Sequence, residues 1–246
     1  AHPHDDAINI HASFLRFKNK VDDCTAVFEF VHRQQGGYRA FNNGDKVVFY
    51  YRTSLQSFGG EYTVDSAVDD IVNKTVTVKF TEKLPSEIEN RYKNQSNVVA
   101  ENITYSPSVE ISNCRFNAIP TRGILVTARG KIRIHDNEFT NVAMANVFIS
   151  NDANDWYESG PVRDVEIYNN KFIVTENNLP KFIDCSAILV QPITFGGKVT
   201  APVHKNIYIH SNYFDVRRDR VITAHGVENL RTEDNEYKNI STVKIN

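Results

Sequence analysis

The sequence predicts an all-β fold, a right-handed parallel β-helix (a solenoid of stacked coils) with a small antiparallel β-barrel or sandwich inserted into it. Three observations predict this fold. A motif recurs in the second half with a basic period of 23 residues that loops lengthen in two places, a second set of apolar segments can be aligned in the same way, and the region from residue 18 to about 96 lacks the repeat. A period in the twenties with alternating apolar positions is typical of solenoid coils.

The recurring motif reads apolar–x–apolar–x–polar–Asn or Cys–x–aromatic in outline, with the weakest copy last. Its five copies are VEISNCRF (109–116), IRIHDNEF (132–139), VEIYNNKF (165–172), IYIHSNYF (207–214) and LRTEDNEY (230–237). Because stacked coils lie about 4.8 Å apart, equivalent residues form columns through the interior. We therefore predict two columns, one of phenylalanine rings and one of asparagine amides. Their members are Phe116, Phe139, Phe172 and Phe214 in the first, and Cys114, Asn137, Asn170, Asn212 and Asn235 in the second.

A second strand in each coil is indicated by five further apolar segments. They are AINIH (7–11), GILVT (123–127), NVFIS (146–150), AILVQ (187–191) and VITAH (221–225). The first of them lies far upstream of the others, which indicates an insertion between two coils. The inserted region shows period-2 segments and Gly-Gly and Asn-Gly turns, as antiparallel hairpins do. We therefore predict β-helix at residues 1–17, an inserted barrel-like domain at 18–96, and β-helix coils at 97–246.

Composition excludes several classes of partner and cofactor. The net charge is −2 and both signs are interspersed, so no basic stripe for nucleic acid or an anionic membrane is present. No apolar run reaches the roughly 18 residues of a membrane span. The three cysteines, Cys24, Cys114 and Cys185, are scattered without metal-ligand spacing. We expect them to be buried free thiols, with Cys114 a core residue rather than a nucleophile, and we expect no metal and no cofactor.

Aligning the first strand with its neighbour brings ionisable side chains together at the start of the chain. Setting AINIH over GILVT puts Asp5 over Thr121 and Asp6 over Arg122. A carboxylate pair beside a guanidinium could cleave a sugar, with one acid protonating the leaving oxygen and another carboxylate activating water. The alternative is a solvated bend with a surface salt bridge. Consecutive strand residues face opposite ways, so both aspartates can serve one site only if the strand begins after them or is kinked.

The loop NDANDWYESG (151–160) follows the strand NVFIS and holds the only tryptophan. Loops on a rigid solenoid are where binding residues accumulate. Trp156 and Tyr157 could stack on a sugar ring, while Asp152, Asp155 and Glu158 accept from its hydroxyls. The alternative is that Trp156 covers outward apolar residues on neighbouring coils, namely Leu125, Phe148 and Leu189. The loop must also fold back to share a pocket with Asp6, because Asp6 begins its strand and Asp152 follows the end of its own.

Several stretches together resemble one glycoside hydrolase family, the inverting exo-α-1,3-galactosidases that also remove the terminal galactose of blood-group-B antigens. They are HDDAINIHASFLRF, ENITYSP, ISNCRF, TRGILVT and ISNDANDWYESGPVRDVEIYNNKF. The resemblance implies a parallel β-helix with an inserted barrel and metal-independent hydrolysis in which Asp5 and Asp6 are the acid and base. It also implies a glycan with terminal α-galactose as partner and a secreted, periplasmic or cell-surface location. The candidate substrate-binding residues are Arg122, His11, Asp152, Trp156 and Glu158.

The sequence departs from the family pattern in two ways. His4 stands where the family commonly has glycine before the aspartate pair, and the chain starts almost on that motif. We therefore expect it to be a part of a longer enzyme, with doubtful activity on its own. Two other classes remain open: a non-catalytic glycan-binding β-helix, and a β-helix polysaccharide lyase or pectinase-like enzyme. The aglycone and the oligomeric state do not follow from the sequence.

Overall fold

The computed structural model describes residues 4–175, 186–216 and 221–238. Within these ranges the chain consists of β-strands and one short 3-10 helix, Ser86–Glu89. The strands of the first half are β1 (Ile8–Lys20), β2 (Thr25–Glu29), β3 (Lys46–Tyr51), β4 (Ser57–Asp70), β5 (Thr75–Phe80), β6 (Arg91–Tyr92), β7 (Gln95–Ser96) and β8 (Val98–Asn102). The described ranges contain no helix that is long and apolar enough to cross a membrane.

The second half forms coils of three strands each. These are β9 (Val109–Ser112), β10 (Arg115–Asn117), β11 (Ile124–Thr127), β12 (Lys131–His135), β13 (Glu138–Thr140), β14 (Val147–Ile149), β15 (Glu158–Ser159), β16 (Asp164–Tyr168), β17 (Lys171–Ile173), β18 (Ile188–Val190), β19 (His204–His210), β20 (Tyr213–Asp215), β21 (Ile222–Ala224), β22 (Val227–Glu233) and β23 (Glu236–Tyr237).

Three parallel sheets run the length of the coils, which confirms the β-helix. The first sheet has the order β1-β11-β14-β18-β21, the second β9-β12-β16-β19-β22, and the third β10-β13-β17-β20-β23. The recurring motif supplies a strand of the second sheet and one of the third, with a bend between them. At the bend the residue before the ladder position adopts positive φ, as at Asn113 (56°), Asp136 (54°) and Asn169 (53°). Asparagine and aspartate tolerate this conformation better than most residues.

Both predicted interior columns are present. The rings of Phe116 and Phe139 stack with centroids 4.6 Å apart, Phe139 and Phe172 at 5.0 Å, and Phe172 and Phe214 at 4.8 Å. In the amide column, Asn137 donates from backbone N and from Nδ2 to Oδ1 of Asn170, both at 3.0 Å. The backbone N of Cys114 donates to Oδ1 of Asn137 at 3.0 Å, so this rung continues through its main chain alone.

The inserted region closes into a six-stranded antiparallel barrel. Its strands pair in the circular order β1-β2-β5-β4-β3-β8 and back to β1. The barrel has its own apolar core, in which Phe28 packs against Phe17, Phe41, Phe49 and Phe80. β-Branched and aromatic residues dominate these strands, as is typical of half-buried sheet positions.

The boundaries of the barrel differ from those predicted. β8 was assigned to the β-helix coils, which were expected to begin at residue 97, but it pairs antiparallel with β1 and β3. Val98–Asn102 is needed to close the barrel, so the barrel extends to Asn102. At the other end β1 continues through residue 17 to Lys20 without interruption. One strand therefore pairs with β11 in the β-helix and with β2 and β8 in the barrel.

Two of the three cysteines lie in the described residues. Cys24 and Cys114 are free and half-buried, less buried than expected. Cys114 packs against the interior cluster of the coils, in agreement with a core position. Cys185 lies outside the described residues.

Candidate active site

The predicted contact between Asp6 and Arg122 is confirmed. Nε of Arg122 donates to Oδ1 of Asp6 at 2.8 Å, and the backbone N of Arg122 donates to the same oxygen at 3.2 Å. The register follows the alignment, since Ile8 pairs with Ile124 and Asn9 with Leu125. The Asp6 side chain is only 3% exposed. This pair is therefore more than a solvated surface bridge.

Asp5 lies beside Asp6 but has a different environment. Its Oδ1 accepts a hydrogen bond from the backbone N of Asp6 at 2.9 Å, and the residue is exposed. The strand β1 begins at Ile8, after both aspartates. The two carboxylates are therefore not forced onto opposite faces of a sheet, and both can serve one site.

Beyond the aspartates, the outer face of β1 continues with polar side chains. Ile8 and Ile10 pack against the interior cluster, so the alternate residues Asn9 and His11 face outward. Asn9 was not among the predicted site residues. The sequence does contain the information needed to find Asn9. Apolar and polar residues alternate along β1, so a polar residue between two core isoleucines must lie on the same face as His11.

His11 connects β1 to Glu158. Its Nδ1 lies 2.8 Å from the carbonyl oxygen of Ala12, and its Nε2 lies 3.4 Å from Oε1 of Glu158. A carbonyl can only accept, so Nδ1–H is the donor in the first contact. Nε2 is then the nitrogen that faces the Glu158 carboxyl. Burial raises the pKa of Glu158, while the neighbouring His11 and Asn9 oppose that shift.

Glu158 reaches this position through a short strand that pairs with β1. β15 runs antiparallel to β1, with Ser13 opposite Glu158 and Ala12 opposite Ser159. Glu158 is 7% exposed. Gly160 has a φ of 114°, and a Cβ there would lie 2.4 Å from the carbonyl oxygen of Thr127. Glycine at this position therefore allows the loop to return against the coil and bring Glu158 toward the site, as the prediction required.

Asp152 has a structural role in the same loop. Its Oδ1 accepts from the backbone N of Asn154 at 2.6 Å and of Asp155 at 2.9 Å, and its Oδ2 accepts from Trp156 N at 3.3 Å. The residue is buried, and burial raises the pKa of its carboxyl. Its oxygens are thus directed at the turn of its own loop, although Asp152 was predicted to contact sugar.

Trp156 lies beside the barrel and not beside the aspartates. Its ring centroid is 4.5 Å from that of His32, and its indole is 44% exposed. The adjacent Tyr157 accepts a hydrogen bond from the backbone N of Phe14 at 2.8 Å. Among the described residues the Trp156 ring contacts His32 of the barrel and makes no contact with Asp5 or Asp6.

The apolar cluster that Trp156 was alternatively expected to cover does exist. It consists of Leu125, Ala145, Phe148 and Leu189, all buried. Trp156 is not a member of it. The Arg122 guanidinium lies over the Phe148 ring instead, 5.6 Å from its centroid. The apolar cluster thus packs beneath the guanidinium of Arg122 through Phe148.

Arg52 of the barrel holds the loop that carries Glu158. It is 1% exposed. Its Nε donates to the carbonyl oxygen of Ala153 at 3.0 Å, and its Nη2 donates to the hydroxyl of Tyr157 at 2.7 Å. Its guanidinium also lies 3.9 Å from the centroid of the Phe195 ring. Burial lowers the pKa of Arg52. This residue was missed in the sequence, where an arginine in a β-segment carries no sign of burial.

No group of three or more histidine, cysteine, aspartate or glutamate side chains in the described ranges is arranged to hold a metal ion. The chemistry available in the described site is that of carboxyl, imidazole, amide and guanidinium groups.

The fold and the site define a β-helix protein with an inserted barrel, with two aspartates just before its first strand and a glutamate on a loop that pairs with that strand. A family model described as "GLAA-B beta-barrel domain II" matches residues 25–91, within the barrel. Alpha-1,3-galactosidase A of Streptomyces avermitilis is 36% identical over 233 residues, which cover 92% of this chain and 35% of that protein. Alpha-1,3-galactosidase A of Bacteroides thetaiotaomicron is 34% identical over 98% of this chain and 40% of the relative.

Alpha-1,3-galactosidase B of Phocaeicola vulgatus is 27% identical over 94% of the chain and 39% of the relative. These matches confirm the resemblance: the chain is related over most of its length to the alpha-1,3-galactosidase A and B family. It spans only about a third to two fifths of the curated relatives' length. Among solved structures, the gp54 tailspike of Acinetobacter baumannii bacteriophage AP22, in complex with a capsular saccharide, matches with a TM-score of 0.36 and 16% identity. That match covers 94% of this chain and 41% of the tailspike, and its score is too low to assign a shared fold.

Proposed function

We propose that this chain carries the active site of a glycoside hydrolase that removes terminal α-1,3-linked galactose with inversion. Its relatives are named alpha-1,3-galactosidases. The observation that carries the proposal is the pair Asp6–Arg122 on the first coil, with Asp5 adjacent and Glu158 on the same face. Carboxyl groups held close to a rigid strand are what a site for acid/base hydrolysis requires.

In the proposed reaction Asp5 and Asp6 supply the acid and the base. One carboxylic acid protonates the glycosidic oxygen, while the other carboxylate removes a proton from a water that attacks the anomeric carbon from the opposite face. Inverting enzymes hold the two groups about 6.5–9.5 Å apart to admit that water. The bond between the anomeric carbon and the aglycone oxygen breaks as the bond to water forms, so β-galactose is the first product.

The remaining residues of the site bind and orient the sugar. Arg122 fixes the Asp6 carboxylate through two donors to one oxygen, which leaves Oδ2 of Asp6 for substrate or water. Asn9 offers an amide on the outer face, where it can bond a sugar hydroxyl. Glu158 and His11 lie in contact and together offer the sugar a carboxyl and an imidazole group.

The test is a time-resolved NMR assay of a terminal α-1,3-galactoside, with this chain contained in the longer protein that the family resemblance leads us to expect. β-Galactose should appear first, and Asp5→Asn and Asp6→Asn should each suppress release. Asp65→Asn, an exposed barrel carboxylate paired with Lys79, serves as the matched control. Release of α-galactose first would exclude inversion.

The second candidate is a non-catalytic glycan-binding module. The position of Trp156 favours it, because the exposed indole lies against His32 on the barrel, away from the aspartates. Such a module would bind the galactoside with unchanged affinity after Asp5→Asn and Asp6→Asn, and it would show no turnover in the unaltered protein.

A further inference from the structure

A cleft of about 310 Å³ lies on the barrel, outside the site described above. It opens between the segment 30–39 and the turn that joins β4 to β5. Pockets for drug-sized ligands measure about 300–1,000 Å³, so this cleft is suited to one or two sugar rings and not to a large ligand. We call it the barrel cleft.

An aromatic ring forms one wall of the barrel cleft. Tyr38 is 46% exposed and is held edge-on against Phe30, with ring centroids 5.3 Å apart. Ile71, on the opposite side, is also exposed. A fixed, half-exposed aromatic ring beside an aliphatic side chain offers an apolar platform of the kind on which the C–H face of a pyranose packs.

A polar anchor lies in the same cleft. Oδ2 of Asp69 accepts from Nε of Arg39 at 3.4 Å. Oδ1 of Asp69 is buried and has no hydrogen-bond partner among the described residues. The Asp69 side chain is nevertheless 26% exposed, so Oδ2 is the oxygen that a ligand hydroxyl in the cleft can reach, through the lone pair that Arg39 does not use. Gly36 and Gly37 contribute open backbone, because no atom lies within 4 Å of the place where a Cβ would stand.

The charges lining the barrel cleft balance. Arg39 and Lys74 oppose Asp69 and Asp70. Each of the four already has a protein partner, since Arg39 pairs with Asp69, Asp70 accepts from Asn73 and Lys74 donates to the carbonyl oxygen of Arg33. A cleft without net charge, with an aromatic wall and one free acceptor, favours a neutral polyhydroxylated ligand over an anionic one.

The barrel cleft is also tied to the loop that carries Glu158. Gln35, which lines it, donates from Nε2 to the carbonyl oxygens of Trp156 at 3.2 Å and of Tyr157 at 3.0 Å. We propose that the barrel cleft is a second saccharide site, which binds a neutral sugar unit of the glycan away from the bond that is cleaved. The choice of a saccharide as ligand rests on the proposed function.

The test uses the disaccharide α-D-galactosyl-(1→3)-D-galactose as probe with the Asp6→Asn chain, so that hydrolysis does not consume it. Amide resonances of Gly36 and Gly37 should shift on titration. Tyr38→Ala and Asp69→Asn should each weaken this binding by about tenfold, the usual scale for a central contact. Tyr105→Ala removes a tyrosine that is 66% exposed and does not line the cleft, and it should leave the titration unchanged.

Three results would overturn the second site. The first is that the disaccharide shifts only resonances of residues around Arg122. The second is that the Tyr38 and Asp69 variants bind the disaccharide as tightly as the protein without those changes. The third is that the protein self-associates through the cleft, so that Ile71→Ser makes it dissociate. Failure of the proposed function would give a different result. The unaltered protein would release no galactose, while the amide resonances of Gly36 and Gly37 would still shift with the disaccharide, which would support the second site.

Discussion

Arg122 donates from Nε to Oδ1 of Asp6 at 2.8 Å, although the two residues are 116 positions apart in the chain. They are neighbours because β1 and β11 stack as adjacent strands of one sheet. The whole barrel is therefore an insertion between two adjacent coils. A site built across this junction depends on the barrel leaving the register of the coils undisturbed.

Asp6→Asn should reduce galactose release by about 10²–10⁴-fold under the proposed function, the usual range for general acid–base help. The amide oxygen can still accept from both nitrogens of Arg122, so the melting temperature should change little. Initial rates and thermal unfolding of the variant and of Asp65→Asn measure the two effects. Undiminished turnover would remove Asp6 from the mechanism.

Arg52→Met should destabilise the protein by about 2–4 kcal/mol, because the Tyr157 hydroxyl and the carbonyl oxygens of Ala153 and Ser96 would lose a buried donor. Methionine keeps much of the volume without the charge. Arg91→Met, on the exposed face of the short strand β6, is the control. Denaturant unfolding compares the two, and equal losses would show that the buried contacts of Arg52 contribute nothing specific.

The asparagine ladder should respond in opposite directions to removal and addition of a rung. Asn170→Ala leaves the carbonyl oxygens of Ile134 and Tyr168 without a side-chain donor and should cost about 2–4 kcal/mol. Cys114→Asn supplies an amide that can donate to Asn137, and it should stabilise by about 0.5–1.5 kcal/mol. Chemical denaturation of both variants tests the pair. Destabilisation by Cys114→Asn would indicate that the site cannot accommodate the amide.

His204 should make the fold sensitive to acid. It is fully buried, and Nδ1 accepts from the backbone N of Val162 at 3.2 Å. Burial, together with the nearby positive charge of Arg163, lowers the pKa of His204 from the usual 6.5 to about 3. Between these two values the unfolded chain binds a proton that the folded protein does not. The free energy of unfolding should therefore decrease as the pH falls from 6.5 toward 3, by up to about 1.4 kcal/mol per pH unit.

The matched variant for that window is His204→Asn, whose amide oxygen can accept from Val162 N but does not titrate. Its unfolding free energy should fall less steeply with acid than that of the unaltered protein. Melting curves recorded in buffers from about pH 4 to pH 8 compare the slopes. Parallel slopes would mean that His204 is not the responsible group.

Repeats made the coils predictable, because a column residue must recur wherever a coil passes. The Phe column, the asparagine ladder and the Asp6–Arg122 contact all follow from that register. Contacts between barrel and coils have no such period. The burial of Arg52, the position of Trp156 against His32 and the pairing of β8 depend on how two structures dock, and no local pattern encodes that docking.

Glu158 was predicted only as a sugar contact, and its contact with His11 gives it a more specific role. Nδ1–H of His11 is committed to the carbonyl of Ala12, so Nε2 is the nitrogen that faces the Glu158 carboxyl. Burial raises the pKa of Glu158, so this carboxyl keeps its proton above the pH at which an ordinary glutamate ionises. The protonated carboxyl can donate to Nε2, and that donor is lost when Glu158 ionises. We therefore expect kcat/KM to fall on the alkaline side as Glu158 deprotonates.

Glu158→Gln should remove that alkaline decline, because the amide carries a permanent N–H toward Nε2 of His11. Its cost in kcat/KM should be modest, about tenfold or less, since a binding contact is weakened and no proton transfer is lost. The measurement is kcat/KM from about pH 4 to pH 9 for both proteins. An unchanged alkaline limb would assign the decline to another group. A loss on the order of 10³-fold would instead make Glu158 a proton-transfer group, alongside or in place of one of the aspartates.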